Sequence, residues 1–369
     1  MNENPGESGS QESKPVVDTH ELSTGHKIAV LLNENARKVT GRMKRAVSDI
    51  VPRASLYTSR TSEEAYQAVK DMIDRGYERI FSGGGDGSII QLVNMIRRYV
   101  DEKNSAIESF SPEVPGQIER INYPRIGILK LGTGNGMSYV VGAKRGIRNI
   151  RKALAEPGSR TINLSLIEAE QKCFTFSGLG WDAAIINDFA WLKQKFTIPT
   201  LRRVIGGVGG YLGTIAFRTI PREIHRRRKP EVIIRSTGDP VYQVVPPGIP
   251  VPMHLGPGEV IYEGPVSVTG VGTVPYYGFK VKAFPYSNLS PEFMNLRVIN
   301  AGVFECVSHA YPIWMGRYQS ENFLDYLTTG ATMEFSESMP MQIGGDACGY
   351  RDNIMYTMSD HMVEVVDLR

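Results

Sequence analysis

Residues Ile80 to Asn94 read IFSGGGDGSIIQLVN. Apolar residues run into three glycines, an aspartate, a fourth glycine and a serine, and a hydrophobic pattern then resumes at once. A turn needs one or two glycines, and each further one costs backbone entropy on folding. The excess marks a place where something approaches the backbone closely. Before it stands a strand signal, YERIFS; after it Ile89, Leu92, Val93, Ile96 and Val100 share one helical face.

Working outward, strand and helix signals alternate. KIAVLLN (Lys27 to Asn33) has the short apolar run of a buried strand, and ARKVTGRMKRAVSDIV carries apolar residues at helical spacing. SLYTS (Ser55 to Ser59) reads as a second strand. Thr61-Ser62-Glu63-Glu64 is a capping-box pattern opening a helix with Ala65, Val69, Met72 and Ile73 on one face. DEKNSAIESFSPEVPGQIER, over 101–120, reads as an irregular insertion, and RIGILKLG as a fourth strand. This order predicts an α/β fold that begins with a parallel-sheet nucleotide-binding domain over 27–157. After Pro157 short alternating segments separated by Gly and Pro predict a mostly antiparallel β-sandwich domain over 158–360. They include TINLSLIEAE, KCFTFSGLG, EVIIRST, EVIYEG, GFKVKAFP, NLRVINAGVF and ATMEFSES. Within it the stretches Ile185 to Ile220 and Phe323 to Leu327 read as helical. A final strand, MVEVVDL, reaches into 361–369 and could close either domain.

A second glycine turn, LGTGNG (Leu131 to Gly136), follows RIGIL. In an open parallel sheet ligands bind beyond the carboxyl ends of the strands, where both turns fall. A strand–glycine–helix turn presents backbone N–H groups and the positive end of a helix dipole, which suits phosphate. Ser88 and Thr133 add hydroxyl donors. Neither turn has the P-loop lysine or the Rossmann GxGxxG with its distal acid. Asp86 would repel phosphate unless it holds Mg²⁺ or orients an attacking hydroxyl; the other role open to it is a helix cap.

Composition bounds the rest. The 369 residues suggest two domains. The net charge of +3 is too small to point to nucleic acid. Three scattered cysteines and no Cys/His cluster argue for a reducing, cytoplasmic setting and against a zinc site. Residues 1–26 lack the apolar core of a signal peptide and read as a disordered tail. Val204 to Ile220 is too short and Gly-rich to span a membrane. It reads as a buried helix, or as a docking element for anionic lipid through Arg226, Arg227 and Arg228.

GGDGS at Gly84 to Ser88 resembles the GGDGT signature of the diacylglycerol kinase catalytic domain, which sphingosine, ceramide and bacterial lipid kinases share. LGTGN is similar to the family's PLGTGND, with Lys130 in place of Pro and Gly136 in place of Asp. NENA (Asn33 to Ala36) resembles its NP motif, GLGWDA (Gly178 to Ala183) its GxGxDA segment, and MQIGGDACGYRD its QxDGE segment. The resemblance implies an ATP- and Mg²⁺-dependent kinase of a lipid hydroxyl (diacylglycerol, a sphingoid base or ceramide-like), peripheral at the inner membrane face, with a homodimer as an option. It implies nucleotide contacts from Asn33, Thr58 or Ser59, Gly84, Gly85, Gly87, Ser88, Gly132, Thr133, Gly134 and Asn135. Asp86 would serve metal or acceptor, and Asp346 would be the general base where the family has Glu. The family's DG turn for a structural Mg²⁺ has no counterpart in FPYSNLSPEFMNLRV. NAD kinases and phosphofructokinases share a similar loop but not the motifs that follow it here, and an inactive nucleotide or lipid sensor is the alternative outside catalysis.

Overall fold

The computed structural model describes residues 27–36, 38–110, 120–132, 134–144, 146–156, 160–195, 228–238 and 240–369. The expected tail over 1–26, Thr133, the stretch 204–220, and Arg226 and Arg227 lie outside the described residues.

The amino-terminal half is a parallel sheet of β1 (Ile28–Asn33), β2 (Leu56–Ser59), β3 (Arg79–Gly84) and β4 (Arg125–Lys130), in the order β2-β1-β3-β4. Its strands are apolar on both faces because both faces are covered. Along β1, Ala29 and Leu31 pack on one core, with Val69, Met72, Leu92 and Ile96 of the following helices. Ile28, Val30 and Leu32 pack on the other, with Val47 and Ile150. The helices are α1 (Gly41–Ser48), α2 (Ser62–Asp74), α3 (Asp86–Phe110), α4 (Gly136–Val140) and α5 (Arg148–Ala155). The Thr61 hydroxyl caps α2 by accepting from Glu64 N at 3.1 Å, as the capping-box pattern predicts. The buried faces of α2 and α3 are those the periodicity selects.

Three local expectations are corrected. Gly83 and Gly84 still belong to β3, so only Gly85 separates strand from helix. The supposed irregular stretch from Asp101 to Phe110 continues α3. Its polar face is laced by i,i+4 pairs such as Arg98–Glu102 at 2.8 Å, and Asn104 pairs with the Ile121 backbone. Phe323 to Leu327, read as helical, lies in strand β14 (Phe323–Thr328). It is held between β13 (Met294–Ile299) and β9 (Tyr242–Val245). There Asp325 meets Arg297 in a buried two-point ion pair at 2.8 and 2.9 Å, a contact a lone periodicity does not reveal.

The second half is antiparallel. β7 (Phe176–Gly180) lies between β12 (Val268–Gly272) and β15 (Gly330–Ile343), and β15 turns back as β16 (Asp346–Val366). The end of β16 runs antiparallel to β5 (Thr161–Ala169), and Val365 also pairs in parallel with Ile126 of β4. The last strand thus joins both halves into one sheet path. GFKVKAFP, expected as a strand, is a turn in which Phe279 and Lys280 both have positive φ, 51° and 65°. After β13, Val303–Ser308 (α7) and Ala310–Trp314 (α8) form two short helices where no helix was expected; α6 is Trp181–Lys195. Among the described residues no helix is long and apolar enough to cross a membrane.

Candidate active site

The two glycine turns meet backbone to backbone. A Cβ on Gly132 would stand 2.9 Å from Gly85 N and closer still to its Cα, so only glycine permits the approach. Asn135 closes the second loop on itself. Held at φ 55°, it accepts from Gly132 N at 3.0 Å and donates to Gly132 O at 2.6 Å. Lys38 Nζ donates to the same carbonyl at 2.7 Å, which brings a cation to the loops that the motifs did not single out. Ser88 folds back over Gly84 and accepts from Asn33 Nδ2 at 3.0 Å, joining the end of β1 to the start of α3.

Asp86 is buried in the seam. Its carboxylate oxygens accept from Gly136 N at 2.7 Å and Met137 N at 3.0 Å. It begins α3 and caps α4, so one side chain ties the first loop to the second. Burial pushes its pKa up to about 6 against the pull of those two amides, and nearby Asp346 adds to the rise.

Asp346 arrives from the other half of the chain. Gly344 and Gly345, with φ 58° and 86°, form the two-residue turn between β15 and β16, the geometry glycine pairs favour in hairpins. Gly344 N donates to Phe176 O at 3.0 Å, and Gly345 N donates to the buried Gln342 Oε1 at 2.8 Å. The turn sits against Ile90 of α3. This fixes the Asp346 carboxylate over Gly87: a Cβ on Gly87 would stand 2.9 Å from Asp346 Cγ and closer still to Oδ2. Asp346 itself stays exposed.

Beyond the ends of β1 and β2 lies a cavity of about 160 Å³. Asn33, Ser59, Ser82, Ser88 and Gln91 give it a polar wall, and Leu92 is among its apolar lining. Ser59 is buried at this cavity, whereas Thr58 on β2 is exposed.

A segment from the antiparallel half covers the second loop. Phe279 N donates to Gly134 O at 3.2 Å, and Gly278 lies against Gly134. A Cβ on Gly136 would stand 2.6 Å from Tyr276 O and closer still to Tyr277 O. The glycine at 136 is what lets this segment close down. Tyr277 also donates its hydroxyl to Asp182 Oδ2 at 3.0 Å. Asp182 is driven to a pKa of about 6 by burial, and among the described residues its Oδ1 accepts no hydrogen bond. Tyr277 carries no motif, and its approach to Asp182 and Gly136 has no sequence signal because three distant segments supply it.

Residues 27–167 match the diacylglycerol kinase catalytic domain. Among solved structures the chain is similar to a provisionally assigned diacylglycerol kinase of Bacillus anthracis str. Sterne. The two are 16% identical with a TM-score of 0.58, over 92% of this chain and 96% of that one. A second structure, of a diacylglycerol kinase from the same source, is 15% identical with a TM-score of 0.55, over 92% and 96%. At such identity the likeness establishes the shared fold. No curated protein gives a significant sequence match.

Proposed function

We propose that this chain, whose residues 27–167 form a diacylglycerol kinase catalytic domain, is an ATP-dependent lipid kinase. In this reading the γ-phosphoryl group passes to the hydroxyl of a diacylglycerol, sphingoid base or ceramide-like lipid held at a membrane face. The observation that carries the reading is the seating of the Asp346 carboxylate on Gly87, inside the phosphate-type loop.

The leading N–H groups of α3 have no acceptor within their helix, and with Ser88 and Gly134 they can receive phosphate oxygens. Asn33 and Ser59 border the cavity suited to the rest of the nucleotide. Lys38 adds positive charge at Gly132. The lipid oxygen attacks the γ-phosphorus, its proton passes to Asp346, and ADP leaves with the electrons of the broken P–O bond. Fixed donors aimed at the transferring group supply most of the rate in such reactions.

Mg²⁺ fits the arrangement as a companion of the nucleotide. Among the described residues no three acidic, His or Cys side chains converge, so the ion would rest mainly on phosphate and water, as Mg²⁺ commonly does. Asp86 uses two of about four acceptor positions on amides, which leaves capacity for a metal-bound water. When bound, the ion would neutralise phosphate charge.

The test is incubation of the purified chain with radiolabelled ATP and extracted lipids, beside NAD and fructose 6-phosphate. Label in a lipid product is expected. Label confined to a soluble acceptor overturns the reading, and nucleotide binding without any transfer identifies a sensor.

A further inference from the structure

Helices α7 and α8 carry an apolar face that nothing in the chain covers within the described residues. Phe304 is 87% exposed, Val307 59%, Tyr311 75% and Trp314 44%. At i,i+3 spacing Phe304 and Val307 share a face of α7, and Tyr311 and Trp314 share a face of the consecutive helix α8. Aromatic patches of this kind are uncommon on a monomer's free surface.

We propose that this face is where the protein docks on an anionic lipid surface, an inference that rests on the lipid-kinase reading for its purpose. The charges around the face select the occupant. At its start Lys229 Nζ donates to Asn300, three residues before α7, to Oδ1 at 2.9 Å, and exposed Arg228 adjoins it. At its end Lys282 N donates to Trp314 O at 2.9 Å, Gly316 packs on the Lys282 side chain, and Arg317 is exposed. The segment 300–322 holds two acids, Glu305 and Glu321. Glu305 accepts from Tyr318 Oη, Ser320 Oγ and Asn322 Nδ2 at 2.9–3.0 Å and is drawn into the fold. An apolar strip with cations at both ends suits acyl chains below anionic headgroups, and Tyr and Trp have one apolar and one polar side for that boundary. A second copy paired symmetrically through the same strip would bring like charges together.

The face is also coupled to the reaction loops. From the Lys282–Trp314 bond the chain runs back through Tyr277 N, which donates to Val281 O at 3.0 Å. It continues to Phe279 N, which donates to Gly134 O at 3.2 Å. The segment that closes the second glycine loop is therefore anchored on the docking helices.

Sedimentation of the full chain with vesicles tests this, using phosphatidylcholine alone or mixed with phosphatidylglycerol. Binding to the mixed vesicles that weakens with salt is expected. The Phe304→Ala, Tyr311→Ala double variant should lower it about tenfold, and Arg228→Ala and Arg317→Ala about fivefold each. All should transfer phosphate to a detergent-dispersed short-chain diacylglycerol at the wild-type rate. Unchanged vesicle binding by the double variant overturns the docking face. So does salt-independent binding to phosphatidylcholine alone, or a concentration-dependent dimer that the double variant abolishes. If no lipid is phosphorylated yet vesicle binding follows the expected pattern, the kinase reading fails and the docking face stands.

Discussion

The carboxylate of Asp346 rests on the Cα of Gly87, with no room for a side chain between them. A residue near the end of the chain and one in its first glycine loop thereby define a single point in space. Gly87→Ala would push the carboxylate away while leaving the amides of the loop in place. We expect kcat to fall about 100-fold, as a displacement on the order of 1 Å does, with nucleotide affinity retained. Asp346→Asn should lower kcat by about 100- to 10,000-fold. Rapid-quench turnover together with nucleotide titration checks both, and near wild-type kcat in either would remove Asp346 from the mechanism.

Asp86→Asn tests the seam between the loops. Both carboxylate oxygens accept amide hydrogens, and an Asn offers one oxygen and one donor group. A buried N–H at Gly136 or Met137 would face another donor, at a cost of about 1–3 kcal/mol. The variant should melt earlier and lose turnover together. Full stability with lost turnover would mean that Asp86 acts on substrate or metal alone.

Asp182 predicts a pH dependence. Its folded pKa is raised from 3.8 to about 6, so the folded state binds its proton more tightly than the unfolded state does. Its effect on stability is therefore favourable in acid and is lost as pH climbs through that window. Asp182→Asn, which keeps an acceptor for Tyr277, should stabilise the protein near neutral pH. The gain should vanish below about pH 4, where the wild-type acid is neutral in both states. Denaturant melts across that range decide it, and a gain that persists in acid would contradict the burial argument.

Gly136 stands where the PLGTGND motif it resembles carries Asp, which makes Gly136→Asp look like a repair. The structure predicts harm, because the added Cβ would strike the carbonyls of Tyr276 and Tyr277. Overpacking of this kind costs about 1–3 kcal/mol, and the segment that closes the second loop would lift away. Calorimetry should show a lower Tm for Gly136→Asp and also for Gly136→Ala; a variant as stable as wild type would show that the segment yields freely.

The glycine loops, the faces of α2 and α3 and the change from parallel to antiparallel texture were all legible in the sequence. Each is a local property: helical faces follow from the 3.6-residue period, and glycine marks backbone that must be approached. Phe323 to Leu327 was not legible, because a short apolar run suits helix or strand until neighbours are known. Its pairing with β13 and β9, and the Arg297–Asp325 contact across it, decide the matter. The helical end of α3 escaped because ion pairs rather than an apolar stripe line it.

By itself the sequence determined that two phosphate-type turns follow buried strands and that an acid stands in the first. Only the tertiary structure decided what the acids do. Asp86 could have capped its own helix or faced solvent; the contact of Gly85 with Gly132 puts it at the start of α4 instead. Asp346 owes its place to the register of β15 against β7 and to the two left-handed glycines at the turn. Strand register is set by the packing of whole faces rather than by any one residue, so a meeting between distant segments appears only once the sheet has formed.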